Sequence, residues 1–111
     1  MITEEEVDKA LEYLRTSAPK AAAARSQAKM LEKFVAITEA QHKQAHKGEG
    51  SNADATDAAR ASADYKQAVE AWGAALEEDA KHQMLREAAI ARLDIWRTME
   101  ATKRAEERAM R

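Results

Sequence analysis

SADYKQAVEAWGAALEEDAKHQMLREAAIARLDIWRTMEATKRAEERAM, residues 62–110, contains no proline and a single glycine, Gly73. Most of its other residues are strong helix formers, and Ser62 followed by Asp64 supplies an N-cap signal. The stretch therefore reads as one long helix over about 62–108. At 1.5 Å per residue such a helix runs roughly 65–70 Å, well beyond the diameter of a domain built from 111 residues. It must find partners along its length.

The rest of the composition agrees with a helical chain. Charged residues make up 34% of it, with three Gly and one Pro, and no sheet is expected. Of the 50 hydrophobic residues 27 are alanine, which leaves 23 larger ones, five of them Met. So few large side chains make a thin core, and burial must come from close helix contact over alanine faces and then from contact between chains. The absence of cysteine removes disulfides, thiol catalysis and Cys-ligated metal, and fits a reducing compartment. No apolar run approaches 18 residues, and MITEEEV is acidic where a signal peptide would be basic. The expectation is a soluble, cytoplasmic protein with no membrane association and no cofactor.

Upstream of the long helix, Thr3 and Glu6 form a capping box that starts a short helix over about 3–16, with Val7, Ala10, Leu11 and Leu14 on its apolar face. Pro19 disfavours helix at Ala18, so it either kinks the chain or sits in the first turn of a new helix capped by Ser17, and a bend is expected there. A second helix over about 19–47 carries Ala24, Ala28, Leu31, Val35, Thr38, His42 and Ala45 at alternating spacings of four and three, a heptad seam. Met30, Phe34 and Ile37 widen this seam on one side, which suggests more than one neighbouring helix. GEGSNADATDAARA, 48–61, holds the other two glycines and no large apolar residue. It reads as a hairpin connection with a helical turn around 55–60. The predicted fold is a single all-α domain: an antiparallel, coiled-coil-like hairpin with a short N-terminal helix and one very long C-terminal helix.

Along that last helix Tyr65, Val69, Trp72 and Leu76 form one stripe, which loses register over the polar run 77–83. Beyond it apolar residues surround most of the helix, and a helix of that kind needs neighbours on most sides. Leu85, Ile90, Leu93, Trp96 and Met99 are therefore candidates for self-association or for docking another protein.

Charge is unevenly spread. Between Pro19 and Gly48 six Lys or Arg stand against two Glu. Arg25, Lys29, Lys33, Lys43 and Lys47 fall within about an 80° sector at 100° per residue, a track that suits a phosphate backbone as well as it suits a solvated coiled-coil face. A second row, including Arg104 and Arg108, lies at the C-terminus. There i, i+4 pairing of Glu100 with Arg104 and of Glu107 with Arg111 accounts for much of it.

His42 and His46 have metal-ligand spacing, but Lys43 stands where a zincin needs glutamate and no third ligand is evident, so no metal site is assigned. Glu77, Glu78 and Asp79 diverge by 100° steps and cannot converge on one substrate. With no phosphate loop and no nucleophile elbow, the sequence reads as non-enzymatic.

IARLDIWRTMEATKRAEE, preceded by ASADYKQAVEAW, resembles the C-terminal part of small helical proteins encoded in early regions of tailed phages and prophages. The wider layout, KAAAARSQAKMLEKFVAI, then KGEG, then a long helix begun by SAD, is similar to the UvsY-type recombination mediators. That resemblance implies an oligomer in the bacterial host cytoplasm that binds single-stranded DNA and helps load a recombinase by displacing single-strand-binding protein. The acidic pI of about 5.9 departs from it. The expected function is thus a phage recombination or replication accessory protein. The alternative is a protein-binding helical module, either a structural coiled coil or a phage inhibitor of a host enzyme, with no use for nucleic acid.

Overall fold

A computed structural model describes residues 1–48 and 50–111; Glu49, inside the predicted connection, lies outside the described residues. The chain is all-α: α1 spans Glu4–Ala45, α2 spans Asn52–Ala61 and α3 spans Ala63–Ala109. No strand occurs among the described residues.

The N-terminal cap forms as its residues dictate. Glu6 N–H donates to Thr3 Oγ1 at 3.2 Å and Thr3 N–H donates to Glu6 Oε2 at 3.4 Å. The bend expected at Pro19 does not separate two helices. Pro19 lies inside α1, so the predicted helices over 3–16 and 19–47 are one element. Ser17 is correspondingly no N-cap but a buried residue of the seam, 6% exposed. The reason is register. Val7, Ala10, Leu14, Ser17, Ala21, Ala24 and Ala28 keep the three-four spacing straight through the proline, and all are wholly or partly buried. Packing of an unbroken stripe outweighs the local cost of the proline.

The connection also differs from its prediction. Residues 52–61 form a full helix of ten residues, not a single turn. Its start is a capping box in which Asp54 N–H donates to Ser51 Oγ and Ser51 N–H donates to Asp54 Oδ2, both at 3.1 Å. Gly48 and Gly50 take φ of +90° and +116°, where an L side chain would be strained. Ser62 serves two helices at once: its hydroxyl donates to Ala59 O at 2.6 Å, ending α2, and accepts from Tyr65 N–H at 3.2 Å, starting α3. The predicted N-cap of the long helix is therefore present, and α3 runs unbroken through Gly73 and through 77–83.

Two compact units divide the chain. In the first, Met1–Ala21 pairs antiparallel with Lys81–Arg111, and Val7 and Ala10 of α1 cluster with Ala89 and Leu93 of α3. Ile2, Tyr13, Leu14 and Trp96 pack around them. In the second, Ala22–Ala80, the latter part of α1 lies beside the start of α3, with His42 Nε2 3.3 Å from Asp64 Oδ2. There α2 buries Ala59 completely and is tied to α1 by Arg60 Nε to Glu39 Oε1 at 3.4 Å.

The seam of α3 does not lose register. Tyr65, Ala68, Trp72, Ala75, Asp79, His82, Arg86, Ala89, Leu93 and Trp96 are all wholly or partly buried at strict three-four spacing. Polar residues occupy the heptad positions where apolar ones were expected. Five of the eight buried apolar residues are alanine, as the composition foretold, and no large side chain is fully buried among the described residues.

Candidate interaction surfaces

Three surfaces answer to the residues singled out from the sequence. The first is the basic row of α1, in the unit formed by Ala22–Ala80. Arg25, Lys29 and Lys33 are exposed on successive turns, and Lys47 is exposed beyond the end of the helix. Lys43 is half-buried, so it is set apart from the others. None of the five forms an ion pair among the described residues. Among the described residues no acid is held against these cations, and the exposed Arg25, Lys29 and Lys33 present their charge to solvent, where an external anion can reach it.

The second surface is the apolar flank of the same helix. Met30, Phe34 and Ile37 are 63%, 52% and 53% exposed. They stand at spacings of four and three, between the seam and the basic row. Beside them a shallow groove opens between α1 and α3, lined by Phe34, Thr38, Gln41, Gln67 and Ala71 among others. The sequence showed these three residues as a widening of the seam. It could not show that they stay exposed among the described residues.

The third surface lies on α3 in the other unit, and here the predicted interface divides. Leu85 and Ile90 are about half exposed, and Met84 and Ile95 are exposed beside them. Leu93, by contrast, is 7% exposed, Trp96 packs onto the Val7–Leu93 cluster and Met99 is half-buried. Leu93 and Trp96 are thus taken up in the cluster with α1 of their own chain. Helical periodicity around residues 84–99 could not tell an intramolecular seam from an external one, because both are apolar. Leu85 also lines a groove with Lys9, Tyr13, Ala88 and Arg92, an apolar floor with two cations on its rim.

The C-terminal arginines stay in solvent. Arg104 Nε donates to Glu100 O at 3.3 Å and Arg108 Nε to Arg104 O at 3.4 Å. The expected carboxylate pairs of Glu100 with Arg104 and Glu107 with Arg111 are not formed among the described residues. The guanidinium groups of Arg104 and Arg108 instead each find a carbonyl of the preceding turn.

Two features escaped the sequence reading. The acidic flank of α3 in the second unit, Glu70 and Glu77, is exposed on the side away from the seam. The other is Arg86, whose Nη1 donates to Leu14 O at 2.8 Å and to Ser17 Oγ at 2.7 Å. The signal for Arg86 was its heptad position, visible once polar residues are counted as seam members.

No helix among the described residues is long and apolar enough to cross a membrane. No protein-family model, curated protein or solved structure matches the chain.

Proposed function

We propose that the chain is a non-enzymatic helical module that works by packing its exposed helix faces against protein. One observation carries this reading: among the described residues no large side chain is fully buried, while Met30, Phe34 and Ile37 on α1 and Leu85, Ile90 and Ile95 on α3 are about half exposed or more. Large apolar side chains gathered on faces are a mark of surfaces that are covered in use. The expected result is that the isolated chain binds a naphthalene-sulfonate dye, or else melts at a temperature that rises with protein concentration because its faces are already paired. A chain that does neither has no such surface, and the reading fails.

The unpaired basic row favours a second reading, in which α1 holds the backbone of single-stranded DNA through Arg25, Lys29, Lys33 and Lys47, with Lys43 and the C-terminal Arg104 and Arg108 assisting. That chemistry would serve a phage recombination accessory of the mediator kind, with a recombinase or single-strand-binding protein as the protein partner. Anisotropy of a labelled oligonucleotide at two salt concentrations tests it. Binding that weakens steeply with salt, and that is abolished by exchanging Lys29, Lys33 and Lys47 for Glu, is the expected outcome. Unchanged binding by that variant, or none at low salt, discards it.

A further inference from the structure

The flank of α1 that holds Phe34 has a counterpart of complementary size and charge on α3 of the same unit. On the α1 side nearest the groove stand Gln27, Phe34 and Gln41, one heptad apart, with Met30 and Ile37 next outward and Lys33 beyond them. On the α3 side the matching positions are Asp64 and Ala71, with Gln67 and Ala74 next outward and Glu70 and Glu77 beyond. All of these residues except those of the seam are exposed. One helix thus offers large apolar side chains edged by a cation, and the other offers alanines edged by anions. Over residues 22–47 five bases face two acids, whereas over 63–80 five acids face one base.

Within a single chain these two flanks lie side by side and cannot face each other. A second copy brings them together. We infer that two copies pair through this face about a two-fold axis parallel to the helices, α1 of each copy lying antiparallel on α3 of the other; the inference rests on the protein-packing reading above. In such a pair the level along the bundle is the same as within one chain, where Phe34 and Ala71 line one groove. Phe34 then seats over Ala71 of the second copy, with Met30 and Ile37 above and below it on the alanine flank. Lys33 falls between Glu70 and Glu77 of the second copy. The arrangement occurs twice by symmetry, as an isologous interface requires.

The size of the face agrees. Two helices each roughly 10 Å wide over about 30 Å present about 600 Å². That approaches the roughly 800 Å² per partner of a stable dimer. Large residues set against alanine also bring helix axes close together, which is how a chain with so few large side chains can bury area.

Sedimentation equilibrium of the full chain at several concentrations, with circular dichroism alongside, tests the pairing. The expected mass is about twice the chain's 12.3 kDa. Phe34→Glu should return it to the single-chain mass with helix content unchanged, because the residue is half exposed in the single chain. Lys33→Glu should weaken the dimer about tenfold, and adding Glu70→Lys and Glu77→Lys should restore it. A single-chain mass for the unaltered protein at about 100 μM overturns the pairing while leaving the dye test to decide the broader reading. A dimer that survives Phe34→Glu overturns this face. Failure of the charge exchange to restore association overturns the α1-on-α3 arrangement.

Discussion

Replacing Pro19 by Ala should stabilise the protein by about 2 kcal/mol and raise its melting temperature by roughly 10 °C. Pro19 stands inside α1 and has no N–H, so the carbonyl of Arg15 loses its helical donor, and the ring presses on that same carbonyl. A proline in a helix interior costs about 3 kcal/mol relative to alanine. The greater freedom of alanine in the unfolded chain takes back up to about 1 kcal/mol of the gain. Nothing of the proline's packing is lost, because its side chain is exposed. The measurement is thermal unfolding by circular dichroism at one fixed protein concentration, since any association would itself move the midpoint. An unchanged or lowered midpoint would mean that the proline shapes α1 in a way the seam requires.

The turn before Pro19 shows how the chain lives with it. Thr16 Oγ1 donates to Glu12 O at 2.9 Å, with Tyr13 O at 3.4 Å, and Arg86 donates to Leu14 O from across the seam. Side chains thus reach several carbonyls of the turn that the proline disturbs, where a regular helix would rely on backbone N–H groups alone.

What was legible in the sequence follows from which residues carry it. The capping box at Thr3 and the N-cap at Ser62 depend on neighbours within four residues, so they could be read directly. The all-α class and the thin alanine core were set by composition, and the seam from Ala24 to His42 by spacing. The helix boundaries at Pro19 and at 52–61 were not legible in the same way. At Pro19 the local preference of one residue was overridden by packing of a stripe that extends on both sides of it. At Ser51 the signal was present, but its N3 partner is Asp54 where the usual pattern has Glu or Gln, and a helix of small polar residues lacks an apolar period. On the surfaces, exposure separates Leu85 and Ile90 from Leu93 and Trp96, and exposure depends on which face of α3 turns toward α1. That choice was hidden because the seam near Arg86 is polar. Reading heptads by hydrophobicity alone loses the register at Asp79, His82 and Arg86, and with it the phase of everything downstream.

Arg86 itself gives the second large effect. Arg86→Met should cost about 2 kcal/mol, because it leaves Ser17 Oγ, in a residue 6% exposed, and Leu14 O without the charged donor they share. Methionine keeps the length and the apolar stem, so the loss reports the guanidinium and not the packing. The cost should also depend on Pro19. The helical donor to Leu14 O is the N–H of Ala18, the residue whose helical conformation a following proline disfavours. Arg86 therefore backs up a carbonyl whose own partner is compromised, and with alanine at position 19 that partner is sound. In a double-mutant cycle of Pro19→Ala and Arg86→Met, followed by urea unfolding, the arginine should matter less in the alanine background by about 1 kcal/mol. Equal costs in both backgrounds would reduce Arg86 to a simple partner of Ser17, and a gain in stability would show that its desolvation outweighs both hydrogen bonds. The predicted coupling ties a residue of α3 to a proline 67 positions earlier in the sequence, and it gives the polar break in the seam a structural cause.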